Sequence, residues 1–305
     1  MKTILDEDFL AFVGEQESQF FASPAEYAND VARIFEPPAG ESMGDLLPWS
    51  KTHAFVALRP GEVSVWAGIN GHGKSQLLGQ VMAWVLPYSR IAIASLEMPP
   101  ARTIARMMRQ CSGQAVPSAQ WREKWMQYTD DKLWIYDQTD SVESERILGM
   151  VHYAASVLKC KHIVIDSLMK CGLSGRQDEV MGKQKEFVDR LCWAAKSRNV
   201  HIHLVHHMRK GESEFKVPDK FDVKGAGEIV DMVDCLFVAH RNKAKERRIE
   251  MGEDYDVGEP DQIIDVAKQR HGEWEGRINL YFHPKSLQYL PQPERGAMPW
   301  PGEIE

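Results

Sequence analysis

The 305-residue sequence lacks several features that would fix its class at once. Its five cysteines, Cys111, Cys160, Cys171, Cys192 and Cys235, are odd in number and scattered, with no C-x-x-C pair. That excludes a disulfide framework and a structural zinc module, and points to a reducing compartment. No apolar run approaches the roughly 20 residues that a membrane-spanning helix needs. Residues 1–20 carry Asp6, Glu7, Asp8, Glu15 and Glu17, which fits neither a secretory signal nor an arginine-rich transit peptide. Positive charge is not in excess either: 37 Lys and Arg stand against 44 Asp and Glu, for a formal net charge of -7. A generally basic nucleic-acid coat is thereby excluded, whereas a local cationic loop is not. Internal repeats and low-complexity segments are missing as well. The expectation is a soluble cytoplasmic protein with no membrane partner.

What is present suffices for a sizeable core: 43% of residues are hydrophobic and 27% charged, in a length that allows one large α/β domain with extras. Residues 1–45 read as an arm. Within it Ser23-Pro24-Ala25-Glu26 is a capping box with proline at the first helical position, predicting a helix to about Phe35 that Pro37-Pro38-Ala39-Gly40 ends. Tyr27, Val31 and Ile34 share one side of that helix and must be buried against this chain's own core or a neighbouring subunit; both remain open.

Residues 46–290 alternate strand and helix signals. Strands are expected at 62–67, 91–96, 133–136, 162–165, 201–206, 236–240, 263–268 and 277–282. Several are near-continuous apolar runs, as when both faces of a parallel sheet are covered. Helices are expected at 142–158, with Ile147, Val151 and Ala154 on one face, and at 180–197, with Phe187, Val188, Leu191 and Ala195 on one face. The fold class is α/β: a doubly wound, mostly parallel sheet with an antiparallel edge made by its last strands. Residues 291–305, with four prolines and two glycines, read as a flexible tail.

The chemistry centres on one stretch. The strand Val63-Ser64-Val65-Trp66-Ala67 meets Gly68-Ile69-Asn70-Gly71-His72-Gly73-Lys74-Ser75, and Gln76 continues into a helix-period pattern. A strand, a G-x-x-x-x-G-K-S loop and a helix in that order form a phosphate-binding loop. Glycines let successive backbone N–H groups curl around an anion, and the helix N-terminus adds partial positive charge. Lys74 would reach the outer phosphates of a nucleoside triphosphate, and the Ser75 hydroxyl would ligate magnesium. Further on, the apolar strand ending in Asp166 has the form of the acidic partner that holds magnesium through its water shell. A turn-capping aspartate would look the same, but the phosphate loop upstream favours the metal role. The strand at 91–96 ends in Glu97-Met98-Pro99-Pro100, so Glu97 either faces the crevice and activates a water or pairs with a helix N-terminus. His201, His203 and His206 alternate on a strand without completing a metal-ligand set, and read as core or edge histidines.

Taken in order, these motifs resemble the RecA-like motor domain of DnaB-type replicative helicases. The resemblance is carried by Gly68 to Ser75, Ser95-Leu96-Glu97-Met98-Pro99, the strand ending at Asp166, His206-His207-Met208-Arg209-Lys210, Lys224-Gly225-Ala226-Gly227-Glu228 and Lys268-Gln269-Arg270-His271-Gly272, and spans about residues 46–290. Within that family the chain looks most similar to the helicase half of phage primase-helicases and Twinkle. The resemblance implies a ring-forming, hexameric, ATP-dependent DNA helicase, using magnesium with ATP or another NTP or dNTP, and moving 5' to 3' on single-stranded DNA at a fork. It implies Glu97 as the catalytic base, Asp166 as the magnesium partner, and His207 as the sensor of the γ-phosphate. It implies Lys268 and Arg270 as the finger reaching a neighbouring subunit's site, although on their own they would pass for a solvated edge-strand pair. Arg241 matches a residue that stacks on the nucleotide base, with Phe282 completing the sandwich.

Between Arg209 and Gly227 lie Arg209, Lys210, Lys216, Lys220 and Lys224, then Gly225, Ala226 and Gly227. Cations with exposed backbone N–H groups suit phosphates of a single strand gripped without reading sequence. Glu212, Glu214, Asp219 and Asp222 partly cancel that charge, as in an ordinary surface loop. The resemblance makes it the central-channel DNA loop, and the segment 171–177 a second channel-facing candidate. The zinc module and primase domain of primase-helicases do not fit in the short arm, so priming is not expected and a separate primase or loader becomes the implied partner. The rival reading is a recombinase-like or accessory ATPase that coats single strands without unwinding.

Overall fold

Runs rich in β-branched residues set the frame of this computed structural model, which describes residues 23–36, 44–173, 175–208, 227–272, 274–293 and 295–304. The chain divides into two units, residues 1–43 and 44–305. In the first, Ser23 opens a 3-10 turn, Pro24–Tyr27, that continues as α1 (Ala28–Phe35). The capping box forms as expected, with the Ser23 amide donating to Glu26 Oε1 at 2.8 Å. Tyr27, Val31, Ile34 and Phe35 are exposed.

The second unit begins with a small antiparallel pair, β1 (Asp45–Leu46) with β2 (Ala57–Leu58). Six strands then run parallel: β3 (Val63–Gly68), β4 (Ile91–Ser95), β5 (Leu133–Tyr136), β6 (His162–Asp166), β7 (His201–His207) and β8 (Cys235–Arg241). An antiparallel edge follows, with β9 (Gln262–Gln269), β10 (Gly276–His283) and β11 (Gln288–Leu290). The sheet order is β11-β10-β9-β8-β3-β7-β6-β4-β5. Every residue of β3, β4 and β6 is buried, whereas β10 alternates buried with exposed positions. That contrast is the difference between a strand covered on both faces and an antiparallel strand near the sheet's end covered on one.

Side chains alternate across the sheet, so each strand feeds two cores. Val63, Val65 and Ala67 join Ile147 and Val151 of α5 (Ser144–Ser156) and Phe187, Val188 and Leu191 of α6 (Gln177–Arg198). On the opposite face Trp66 packs with Phe237, ring centroids 4.5 Å apart, under α2 (Lys74–Val85), α3 (Pro100–Ser112) and α4 (Ala119–Thr129). Each fully buried aliphatic or aromatic side chain here contributes about 1.5–3 kcal/mol relative to exposure. Two further helices, α7 (Gly227–Met232) and α8 (Lys243–Met251), flank β8.

The proline-rich end, expected to be a flexible tail, is packed. Its prolines are interspersed with apolar anchors: Met298, Trp300 and Ile304 lie against the Trp66 core. Met298 exchanges hydrogen bonds with the Gln288 side chain at 2.7 and 3.1 Å, and Trp300 Nε1 donates to the Ala83 carbonyl at 2.5 Å.

Beneath the sheet's opposite end the strand histidines form a bonded chain. Trp66 Nε1 can only donate, so His203 accepts at Nδ1 (3.2 Å) and carries its proton on Nε2. That nitrogen lies 3.0 Å from His162 Nδ1, and His162 Nε2 lies 2.7 Å from Asp45 Oδ2. His201 bridges Ser64 Oγ and the Arg59 carbonyl, each at 2.7 Å. His201 and His203 are thus core histidines satisfied by neighbours, as expected from the strand pattern, whereas His206, of the same pattern, has no hydrogen-bond partner for its Nδ1 among the described residues.

Candidate active site

β3 delivers the chain into the glycine loop, and α2 leaves it. Gly71 (φ 82°) and Gly73 (φ 78°) occupy the left-handed region, which glycine adopts without a steric penalty. Close approach fixes the end glycines as well: a Cβ on Gly68 would stand 2.5 Å from the Ala239 carbonyl oxygen, and one on Gly73 2.6 Å from the Tyr289 hydroxyl. Gly73 is the N-cap of the twelve-residue α2, so the helix's first amides and its positive dipole end face the loop. Asn70 and Gly71 are exposed, whereas His72 is buried. His72 accepts the Arg241 amide on Nδ1 at 3.2 Å, tying the loop to β8. Burial first, then His240 and nearby cations, lowers the His72 pKa to about 4, so the ring is neutral at pH 7. The Gln76 side chain donates to the Leu287 carbonyl at 3.0 Å and braces α2 against the β10–β11 turn.

Lys74 is buried and bonds the carbonyls of Gly68 (2.9 Å) and Ile69 (3.0 Å). Burial lowers its pKa to about 8, against the pull of Asp166 and Glu97. At the ends of β4, β6 and β7 stand Glu97, Asp166 and His207, brought to one crevice by the parallel register. Asp166 is 8% exposed, bonds the Ser75 hydroxyl, and has no partner for Oδ1 among the described residues. Burial raises its pKa, opposed by the Ser75 bond. Glu97 Oε1 accepts from Ser167 Oγ at 2.5 Å and lies 3.0 Å from His207 Nε2. Burial opposes the Glu97 charge, but those two partners outweigh it and hold the carboxyl below its usual range. His207 Nδ1 lies 3.4 Å from Lys74 Nζ.

The half-buried Arg241 stands with its guanidinium carbon 6.0 Å from the Phe282 ring centroid. Its Nε is paired with Glu246. Lys268 and Arg270 are not part of this crevice. Lys268 pairs with Leu236 near the start of β8, and Leu236 pairs with Val65 in β3. That places Lys268 roughly three strand residues, about 10 Å along the strands, from the Gly68 end. There Lys268 Nζ bonds the Val230 and Asp231 carbonyls, and Arg270 bonds those of Asp231 and Met232 while pairing with Asp234 at 3.4 Å. Of the expected DNA loop, Gly227 opens α7, while Arg209, Lys210, Lys216, Lys220, Lys224, Gly225 and Ala226 lie outside the described residues. In the second channel-facing candidate, 171–177, Cys171 is buried and Ser174 lies outside the described residues.

Sequence reasoning missed Ser167, which orients Glu97, and the polar stripe Thr103, Arg106 and Gln110 on α3. Their i, i+3, i+7 spacing beside buried Met107, Met108 and Cys111 was the available signal.

Residues 53–290 match the DnaB-like helicase C terminal domain. The DNA helicase/primase of Enterobacteria phage T3 is 26% identical over 212 residues, covering 62% of this chain and 37% of that protein, so this chain matches just over a third of that relative's length. Among solved structures, the ATPase domain of G40P superposes with a TM-score of 0.74 at 14% identity, covering 88% of this chain and 99% of the other. A DnaB-like replicative helicase, solved in a study of its interactions with primase, gives 0.70 at 14% identity over 86% and 66%. With more than three-quarters of its length matched, the chain belongs to the family of DnaB-like helicase C-terminal domains.

Proposed function

We propose that this chain is a ring-forming, ATP-dependent replicative DNA helicase that moves 5' to 3' along single-stranded DNA and parts a forked duplex. The observation that carries this reading is the contact chain Lys74–His207–Glu97. It joins the phosphate-binding lysine to the carboxylate that would activate water, through a residue at the end of β7, one residue before the segment leading into the cationic loop.

In this reading Lys74 and the amides of residues 68–76 take the triphosphate of ATP, or of another NTP or dNTP. Ser75 and Asp166 offer a hydroxyl and a buried carboxylate oxygen with no partner among the described residues, the hard oxygen set that suits magnesium. Magnesium, when bound, neutralises charge on the β- and γ-phosphates. Glu97, held anionic by Ser167 and His207, accepts the proton of the attacking water. Arg241 and Phe282 hold the base. Lys268 and Arg270, remote from their own crevice, serve the site of the next subunit in a hexamer. Arg209, Lys210, Lys216, Lys220 and Lys224, with the backbone of Gly225, Ala226 and Gly227, grip the strand's phosphates. The helix at 24–35, with its exposed apolar residues, helps hold the ring, and a separate primase or loader is the expected partner.

The test is a forked duplex with a 5' single-stranded tail, incubated with ATP or a non-hydrolysable analogue. Strand separation with ATP alone supports the proposal. DNA-stimulated hydrolysis without separation replaces it with a recombinase-like or accessory ATPase.

A further inference from the structure

Behind the phosphate loop lies a small cavity of about 20 Å³, lined by Ser75, Leu78, Gly79, Met82, Ile93, Ser95, Thr103, Arg106, Val164 and Asp166. Two of its lining residues carry sequestered atoms of opposite polarity. Arg106 Nε is a donor and Asp166 Oδ1 an acceptor, and neither has a hydrogen-bond partner among the described residues. Leaving both unpaired in a dry site would be expensive, because each forgoes the hydrogen bonds it makes in water. A single water molecule needs roughly 10–15 Å³ and two to four polar partners. The cavity supplies the room, and Arg106, Asp166 and the bonded hydroxyls of Ser95 and Thr103 (3.0 Å apart) supply the partners.

We propose that Arg106 is a positioning residue for the magnesium site, acting through one buried water that accepts from its Nε and donates to Asp166 Oδ1. The inference rests on the reading of Asp166 as the magnesium partner. Arg106 touches neither nucleotide nor metal in this scheme: it fixes the direction of the carboxylate and opposes the self-repulsion of Asp166 and Glu97. Groups one step removed from a metal commonly change its affinity 10- to 100-fold.

A substitution that spares the fold separates this role from mere support. Gly79 lies within α2 and lines the cavity; a Cβ there would stand 3.8 Å from Arg106 Nε and 3.5 Å from Gln110 Oε1, both ordinary contacts. Alanine is the better helix former, so Gly79→Ala fills the water's space without weakening the helix. The measurement is binding of N-methylanthraniloyl-ADP to the full chain, titrated with MgCl2, beside binding in EDTA and the thermal midpoint. Arg106→Met and Gly79→Ala are each expected to raise the half-maximal magnesium concentration about tenfold. Binding in EDTA and the thermal midpoint of Gly79→Ala should stay as in the parent, and Arg106→Lys should recover most of the magnesium response. Asp166→Asn serves as reference and should abolish that response. If Asp166→Asn loses it while Gly79→Ala and Arg106→Met keep the parent's titration, the bridge is overturned alone. If Asp166→Asn keeps the parent's titration, the magnesium reading and the bridge fall together.

Discussion

His207 Nε2 stands 3.0 Å from Glu97 Oε1 while its other ring nitrogen stands 3.4 Å from Lys74 Nζ. A lysine ammonium only donates, so Nδ1 accepts and the ring proton sits on Nε2, pointing at the carboxylate. The imidazole therefore bridges Lys74 on one side and Glu97 on the other. Under the proposed function, a phosphate that draws Lys74 toward itself would loosen one bond of this chain, and its release would restore it.

The three members of the chain should fail differently. Glu97→Gln keeps the shape and the Ser167 bond but loses the base, so turnover should fall about 10²–10⁴-fold with nucleotide binding retained. Lys74→Ala removes the cation and should lose binding and turnover together. His207→Gln should retain DNA-independent hydrolysis within about tenfold and lose the stimulation by single-stranded DNA, the behaviour expected of a relay and not of a base. Phosphate release with and without oligonucleotide, beside equilibrium binding of a fluorescent nucleotide, distinguishes the three patterns.

Arg270→Ala should cut hydrolysis of the assembled protein by about 10³ or more, since an arginine supplied across an interface stabilises transition-state charge on that scale. Within its own subunit Arg270 caps α7 and pairs with Asp234, so a loss of stability of about 0.3–1 kcal/mol should accompany it. Mixing separates the two effects. Arg270→Ala subunits with an intact crevice, combined with Lys74→Ala subunits carrying an intact arginine, should regain activity that neither has alone. Failure of every mixing ratio to do so would remove the shared-site assignment.

The sheet and its loop could be read in the sequence because each rests on local rules. Val63 to Ala67 is buried on both faces and so reads as a continuous apolar run, and Gly73 at φ 78° with no room for a Cβ is a glycine by necessity. Asp166 and Glu97 end their strands, so a parallel register alone brings them together. The Arg106 stripe is different in kind. Its meaning depends on α3 lying over α2 and on a cavity between them, a relation of distant segments that periodicity does not encode. The packed C-terminal end was concealed for a similar reason: its prolines signal irregular backbone, and nothing local says that Trp300 finds the Ala83 carbonyl.

Acid should destabilise the protein through its buried histidines. Burial lowers the pKa of His201 to about 3 and that of His203 well below the ordinary value. The unfolded chain takes up protons near pH 6.5 that the folded one refuses, so stability falls as pH drops below 6.5, and for His201 the loss continues to about pH 3. Each such histidine contributes up to about 1.4 kcal/mol per pH unit in its window. Urea midpoints between pH 7.5 and 4.5 should therefore decline steeply. His203→Phe, which fills the same space without the titrating ring, should show a shallower decline although it leaves Trp66 Nε1 unpaired at neutral pH. Parallel pH profiles for the two proteins would count against the assignment.

The cationic segment between β7 and α7 makes the last prediction, and salt is the variable that isolates it. If Lys216, Lys220 and Lys224 each neutralise a phosphate of a single strand, replacing all three with alanine removes the counterion release tied to those contacts. The slope of log affinity against log salt should then flatten by about 2 units, at about 0.7 per phosphate on single strands. Affinity for labelled oligo-dT should drop most at low salt and least at high salt. A role in supporting the fold would weaken binding with the slope intact, and a role as solvated surface would change neither quantity. Fluorescence anisotropy between about 50 and 200 mM salt covers the range in which these three outcomes diverge. Nucleotide binding in the absence of DNA should remain that of the parent, because the lysines lie beyond the end of β7 in the chain and the phosphate loop is held by contacts from β8, the β10–β11 turn and β11 that the substitutions leave in place.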